Sequence, residues 1–210
     1  MKTTTRLITS VATALFLAGG AHAAIIDFEA DTAEPKANGF SPVGHAGVHF
    51  TDTSGANLDI DNYDTQGMGR SLAVFTDDDR SRLQIDFDFS INALSLMFGN
   101  DDPAYTLDTD LAWLEIFDGA TQIATVSAAL NRDDIMNQTI AYSGTAFNRA
   151  IFWYGNANGD PTTGGGGLAS NGLVEVVDRI EYSQVPEPAS LALVGLGLAG
   201  LAATRRRKTV

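Results

Sequence analysis

Cysteine is absent from this chain of 210 residues, which excludes a disulfide framework, a thiolate nucleophile and a cysteine metal site. Basic residues are scarce between residues 24 and 185, where seven Lys and Arg stand against twenty-five Asp and Glu, leaving a charge of −18. Because such a surface repels phosphate backbones, the composition argues against a nucleic acid partner. It favours solubility and the binding of divalent cations.

Sequence motifs of catalysis are also missing. Only His45 and His49 follow the N-terminal segment, in the run H-A-G-V-H, which lacks the glutamate of a zinc-protease helix. No G-x-S-x-G elbow is present, and no serine–histidine–acid order can be assembled. We therefore expect no catalytic residues and no enzyme activity. Hydrolysis by a carboxylate pair stays open as an alternative, because twenty-five acids offer too many pairs to choose among.

The N-terminal end has the organisation of an export signal. Lys2 and Arg6 flank the start of an apolar stretch over residues 7–17, and Ala21 and Ala23 form an A-x-A sequence. This order of basic, apolar and small residues is typical of a secretory signal peptide, here residues 1–23. Signal peptidase is expected to cut after Ala23, so the rest of the chain is exported.

The C-terminal end has three parts in succession. Pro186, Glu187 and Pro188 come first, followed by fifteen uncharged residues over 189–203. As a helix these residues would span roughly 22 Å against a hydrocarbon core of roughly 30 Å, which predicts a single membrane helix that is inserted transiently. The basic tail predicts a stop-transfer sequence, with residues before 189 on the outer side of the membrane. That tail consists of Arg205, Arg206, Arg207 and Lys208.

In order and spacing these three parts closely resemble the PEP-CTERM sorting signal of exported bacterial proteins, over residues 186–210. The resemblance implies that Pro186, Glu187 and Pro188 are recognised by an exosortase-type processing enzyme. It also implies cleavage near this motif, followed by release or attachment at the outer surface. Proteins with this signal are often associated with exopolysaccharide production.

Between the two ends, apolar residues follow the period of β-strands. Over residues 83–89 the odd positions are apolar and the even ones polar, which predicts a strand with one packed face and one wet face. Residues 24–185 are therefore expected to form one all-β domain, an antiparallel β-sandwich of jelly-roll type. A helical turn is predicted only at 127–136, and long loops at 30–45, 57–70 and 155–172. The other predicted strands are 25–28, 47–50, 71–75, 91–98, 111–117, 122–126, 139–142, 151–154 and 173–182.

One carboxylate breaks this pattern. In the last predicted strand Asp178 is two residues from both Val176 and Ile180, so the three side chains should point to the same apolar face. An unpaired carboxylate on such a face is costly. First and last strands of sandwiches often lie close together, which would bring Asp27 or Glu29 near Asp178. We therefore hypothesise a structural Ca²⁺ held by Glu29 and Asp178 with backbone carbonyls, similar to the terminal calcium site of carbohydrate-binding jelly-roll modules. The alternative is that Asp178 caps a bulge or pairs with an arginine such as Arg149.

Exposed aromatic residues are candidates for stacking on a sugar ring. We assign this role to Trp113 and Tyr105, whereas Trp153 stands in an apolar run that favours core packing. The leading hypothesis is a non-catalytic exported protein of the cell surface or extracellular matrix that requires no cofactor. One alternative is a carbohydrate-binding module for exopolysaccharide, and a second is a glycan-active hydrolase with paired carboxylates.

Overall fold

The computed structural model describes residues 22–74, 82–160 and 173–185. Apart from one short 3₁₀ helix, Asp64–Gln66, their regular structure consists of ten β-strands. The predicted all-β antiparallel class is thereby confirmed. The strands are β1 (His22–Ile26), β2 (Glu34–Lys36), β3 (Val48–Asp52), β4 (Leu58–Asn62), β5 (Arg70–Val74), β6 (Leu83–Phe98), β7 (Leu111–Asp118), β8 (Thr121–Ala129), β9 (Gln138–Gly155) and β10 (Val176–Gln184).

Most residues of the two predicted terminal segments, the signal peptide and the sorting signal, lie outside these ranges. Residues 1–21 of the predicted signal peptide, including Ala21, are not among the described residues, and neither are the sorting motif, the membrane segment and the basic tail over 186–210. Within the three described ranges, no helix has both the length and the apolar character needed to cross a membrane.

All ten strands join one sheet, and eight of them follow the order β2-β4-β5-β10-β6-β9-β7-β8. Two further strands lie off this path, because β1 pairs with β10 and β3 pairs with β6. The predicted closeness of the first and last strands is therefore present. The hairpin between β7 and β8 turns at Gly119 and Ala120, and Gly119 has a φ of 59°.

Strands β6 and β9 organise the sheet because each serves two sets of neighbours. Residues 83–87 of β6 pair with β3, whereas residues 91–98 pair with β10. Strand β9 follows β6 along both segments, with register shifts between residues 86 and 93 of β6. The sequence predicted two separate strands here, and the structure instead continues one strand through the irregularity.

A single apolar core connects the two segments of the sheet. Leu83 and Ile85 of the first segment and Leu94 and Leu96 of the second are all buried in the same cluster. The alternation of apolar and polar residues in β6 produces this result, because side chains two apart point to the same face. Phe152 of β9 completes the cluster from the neighbouring strand.

A second, smaller cluster lies apart from this core. Ala73, Met136 and Val176 are buried together, with Met97 and Tyr63 packed against them. Each of the two loops between strands, 63–69 and 130–137, contributes one of these residues. Loop side chains therefore cover part of the sheet that the main core does not fill.

Three local predictions are wrong, and the first is the loop 30–45, which contains β2. Residues 127–136 contain no helical turn, because β8 extends to Ala129 and the chain then turns back toward β9. The predicted loop 57–70 contains β4, in which Leu58 and Ile60 are buried and Asp59 alternates with them. The acidic residues of this strand obscured a short period-two pattern that was present in the sequence.

Candidate functional site

A bulge in β10 determines where Asp178 points. The pairing with β6 shifts register between Asp178 and Glu181, and Arg179 has a φ of 41°, in the left-handed region. As a result Val176 packs in the small cluster, whereas Ile180 packs in the main core. The prediction of one shared apolar face was wrong, because the bulge changes the parity of the strand.

Asp178 is 1% exposed and its carboxylate accepts three hydrogen bonds. The Ser71 hydroxyl donates at 2.9 Å, the Met68 amide at 3.3 Å and the Arg179 amide at 2.5 Å. Burial raises the pKa of Asp178 to about 6, against the lowering effect of these hydrogen bonds, and the nearby Asp27 raises it further. This carboxyl group therefore changes charge just below neutral pH.

Glu29 contacts the same segment, residues 68–71, from another position. Its Oε1 accepts the Arg70 amide at 2.9 Å, and the Arg70 guanidinium donates to the Glu29 carbonyl at 2.9 Å. Gly69, with a φ of 83°, leaves the space that the Glu29 carboxylate occupies. The structure thus brings both predicted calcium ligands to one turn of chain.

These carboxylates are already used by donors from the turn. Among the residues that the structure places, no group of three or more His, Asp or Glu could hold a metal ion. The arrangement around Asp178 corresponds to the alternative from the sequence, a carboxylate at a bulge, and Arg149 pairs with Asp86 instead at 2.6 Å. As placed, Glu29 and Asp178 do not form a cation cage, and calcium binding stays a prediction.

A groove with a volume of about 270 Å³ lies over the middle of the second sheet segment. It is lined by residues 93–95 of β6, 141–143 of β9 and 181–183 of β10, together with Ala23 of β1. Small side chains form most of its wall. Sequence reasoning did not find this site, because alanine and serine on a wet strand face carry no motif.

The strand register explains how the groove is built. Glu181 is opposite Ser95, which is opposite Ala141 on the next strand. One step along, Ser183 is opposite Ala93, and Ala93 is opposite Ser143. Two rows of small residues therefore cross three strands, with one exposed carboxylate at their edge. The Glu181 carboxylate lies 3.3 Å from Nε of Arg179.

The two predicted sugar-stacking residues lie in different surroundings. Trp113 is half-buried, stacks on Trp153 with ring centroids 6.1 Å apart, and donates its indole N–H to the Asn156 carbonyl at 3.1 Å. Trp153 is 2% exposed, as its apolar run suggested, and Arg82 lies 4.2 Å over its ring. Tyr105 instead packs against the main core.

A serine, a histidine and an aspartate that the sequence did not indicate also come together. Ser41 Oγ lies 2.9 Å from Nδ1 of His49, and His49 Nε2 lies 3.2 Å from Oδ1 of Asp88. The Asp88 side chain is 68% exposed, so water screens its interaction with the histidine. Their separation in sequence, with Ser41 first and Asp88 last, left no motif by which to find them.

Comparison with known proteins gives one family match. No curated protein matches the chain. Among solved structures it is similar to CsCBM6-3 from Clostridium stercorarium in complex with cellobiose, with a TM-score of 0.34 and 10% identity, covering 65% of this chain and 93% of that one. The family 32 CBM from C. perfringens NanJ in complex with galactose gives a TM-score of 0.31 and 9% identity, covering 78% and 100%. Likenesses this weak carry no information on the ligand.

The C-terminal prediction has a direct outcome. The family model of the PEP-CTERM protein-sorting motif matches residues 184–208. This range includes Pro186, Glu187 and Pro188 and the whole basic tail through Lys208. The chain is therefore a protein with a PEP-CTERM sorting motif, and that motif indicates an exported protein handled by an exosortase.

Proposed function

We propose that this chain is a non-catalytic protein of the cell surface or extracellular matrix, delivered by its PEP-CTERM motif. The observation that carries the proposal is the match over residues 184–208, which begins where β10 ends at Gln184. A compact unit over Ala23–Val185 precedes it and holds the sheet. On this proposal residues 1–23 are removed by signal peptidase, and the segment 189–203 inserts in the membrane only until processing.

We also propose that the domain is a β-sandwich of jelly-roll type. Strands β6 and β9 each contribute to two segments of the sheet, and the apolar faces of both segments share one core. Two sheet segments that bury one common core are the arrangement of a sandwich. The domain reaches this core with no cysteine and, on this proposal, with no cofactor.

Export and processing have a direct test at the two ends of the chain. Mass spectrometry of the protein from culture fractions should find a first residue of Ala24 and a last residue near Pro186. A variant with Pro186, Glu187 and Pro188 all changed to Ala should keep the same N-terminus but retain the basic tail. Recovery of the full-length chain from the cytosol, with both ends intact, would overturn the proposal.

A carbohydrate-binding module for exopolysaccharide is the second candidate function. The observation that favours it is the groove over residues 93–95, 141–143 and 181–183, an open concavity lined by hydroxyl groups and one carboxylate. Sites for small ligands are typically concave, with a few polar groups that fix orientation. A glycan-active hydrolase is the further alternative, and it requires measurable turnover on a polysaccharide.

The calcium hypothesis for Glu29 and Asp178 has its own experiment. If Ca²⁺ binds these carboxylates in the folded state only, the thermal midpoint should be higher in calcium than in chelator, because ligand binding stabilises the native state. Glu29→Gln should abolish the difference, whereas Glu34→Gln, at another exposed glutamate, should preserve it. Equal midpoints in calcium and chelator would remove the site.

A further inference from the structure

We infer that the groove over β6, β9 and β10 binds a short segment of an uncharged polysaccharide, without a bridging cation. This inference rests on the second proposed function, carbohydrate binding, and assigns its site and ligand class. It places recognition on residues 93–95, 141–143 and 181–183 and not on Trp113 or Tyr105.

The pairing of the strands restricts how the groove can hold a ligand. Strand β6 forms the middle of the groove, and its residues 93–95 pair with β10 on one side and with β9 on the other. Its backbone groups are therefore engaged in the two ladders, and they are not available to an added peptide strand. Recognition must come from side chains that stand on the face of the sheet.

The side chains available suit hydroxyl groups. Ser95, Ser143 and Ser183 can each donate and accept a hydrogen bond, and the Glu181 carboxylate accepts them. Ala93 and Ala141 alternate with the serines across the strands, giving small apolar surfaces between the polar groups. A sugar presents the same mixture of hydroxyl groups and C–H faces.

The negative charge of the groove and of the domain favours an uncharged polysaccharide over an acidic one. None of the residues that line the groove is cationic, and Glu181 is the one acidic residue among them; Arg179, which pairs with Glu181 at 3.3 Å, lies outside the lining. The charge of −18 over residues 24–185 adds a long-range repulsion for acidic polymers. An acidic polysaccharide would need a bridging cation at this surface, whereas a neutral one would not.

The size of the groove indicates a short bound segment. Its volume of about 270 Å³ lies just below the range of roughly 300–1,000 Å³ that is usual for ligand pockets. Ala23 lines one end, and removal of residues 1–23 takes this residue away in the processed protein. The groove is therefore more open after export, and a chain can extend beyond it.

Trp113 is a weaker anchor than its residue type suggests. One face of its ring stacks on Trp153, and its indole N–H is already donated to the Asn156 carbonyl. Trp153 itself is buried beneath Arg82 and presents no surface to a ligand. These contacts give Trp113 a packing role on the outer face of β7 and β9.

The test is affinity electrophoresis of the processed protein in chelator, in gels containing laminarin, dextran or hydroxyethyl cellulose as neutral probes and alginate as the acidic probe. We expect retardation by at least one neutral probe and none by alginate. Ala141→Trp fills the groove and should weaken retardation at least 10-fold. Ala129→Trp, at an exposed alanine of β8, is the matched control and should migrate as the wild type does.

Each other outcome has a defined meaning. Should Ala141→Trp fail to fold by circular dichroism, Glu181→Ala, which shortens an exposed side chain, replaces it and should weaken binding at least 3-fold. Binding that survives in the groove variant but is lost in Trp113→Ala overturns this inference and keeps carbohydrate binding. Binding of alginate and of no neutral probe, seen only when calcium is added, also overturns this inference and keeps carbohydrate binding. Binding of no probe overturns carbohydrate binding as well, while delivery by the sorting motif stands on its own test.

Discussion

Gly99→Ala is expected to lower the free energy of unfolding by about 3 kcal/mol or more, the upper end of the usual cost of overpacking. Gly99 is buried directly after β6, where the chain passes against the backbone of Ile135 and Met136. A Cβ at this position would overlap the Ile135 carbonyl and the Met136 Cα. Backbone atoms cannot rotate away as a side chain can, so the loop 130–137 must move.

Gly39→Ala provides the control for this prediction. Gly39 has a φ of 83°, and a Cβ there would meet no atom within 4 Å. Its substitution therefore introduces only the left-handed strain of a non-glycine residue, about 1–2 kcal/mol. Urea unfolding of both variants measures the difference. Equal losses of stability in the two variants would show that the contact with loop 130–137 is not tight.

Disruption of the contact between Gly99 and loop 130–137 should also destabilise the smaller apolar cluster. Met136 is one of its three buried residues, beside Ala73 and Val176. Asp178 follows Val176 by two positions and lies under the turn that contains Met68. Movement of loop 130–137 away from Gly99 therefore exposes the side of the sheet on which Asp178 is buried. Gly99→Ala should raise the exposure of this region to hydrogen exchange before the main core opens.

The fold could be predicted from the sequence to the extent that side-chain alternation determines it. Residues 83–89 alternate strictly, and the structure buries Leu83, Ile85 and Phe87 on one face of β6. The register shifts between residues 86 and 93 of β6 are not marked by any particular residue type. Two strands were therefore predicted where one continues to Phe98. A bulge at Asp178 was one of the alternatives from the sequence, but its position at Arg179 could not be predicted, because arginine is not a residue type that signals a positive φ.

The candidate site was predictable only where a residue departs from its surroundings. Asp178 stood out because a carboxylate interrupted apolar positions, and the structure buries it. Its partners could not be inferred, since Ser71 and Met68 are distant in sequence and one of the two bonds uses a backbone amide. The groove gave no signal at all, because its serines and alanines become a site only when three strands align.

The second large effect is expected for Asp178→Asn, as a change in how stability depends on pH. The pKa of Asp178 is raised to about 6 in the folded protein from 3.8, because burial disfavours the charged carboxylate. The folded state therefore holds this proton more tightly than the unfolded state does. The resulting stabilisation is fully present below about pH 4 and is lost as the pH rises through about 6.

Asparagine is uncharged at every pH, as the protonated carboxyl group is. Its NH2 group cannot accept the hydrogen bonds that one of the two Asp178 oxygens accepts, a cost that does not change with pH. Relative to the wild type, Asp178→Asn should therefore gain roughly 2–3 kcal/mol in free energy of unfolding between pH 4 and pH 7. Asp118→Asn is the matched control, because it makes the same change at an exposed aspartate, the last residue of β7. Urea unfolding at pH 4, 5.5 and 7 provides the measurement.

The comparison of variants is needed because the other acidic residues also titrate in this range. Repulsion among twenty-five acids lowers stability as the pH rises, but this contribution is nearly the same in the wild type and in both variants. Asp27, whose negative charge raises the pKa of Asp178, is unchanged in both variants. The contradicting result is that the free energies of unfolding of the wild type and of Asp178→Asn differ by the same amount from pH 4 to pH 7. In that case Asp178 does not titrate in this range, and the Ser71, Met68 and Arg179 donors alone stabilise its carboxylate. A difference that grows toward pH 7 and disappears in calcium would instead make this carboxylate a cation ligand, which the donors of the turn then only hold in place.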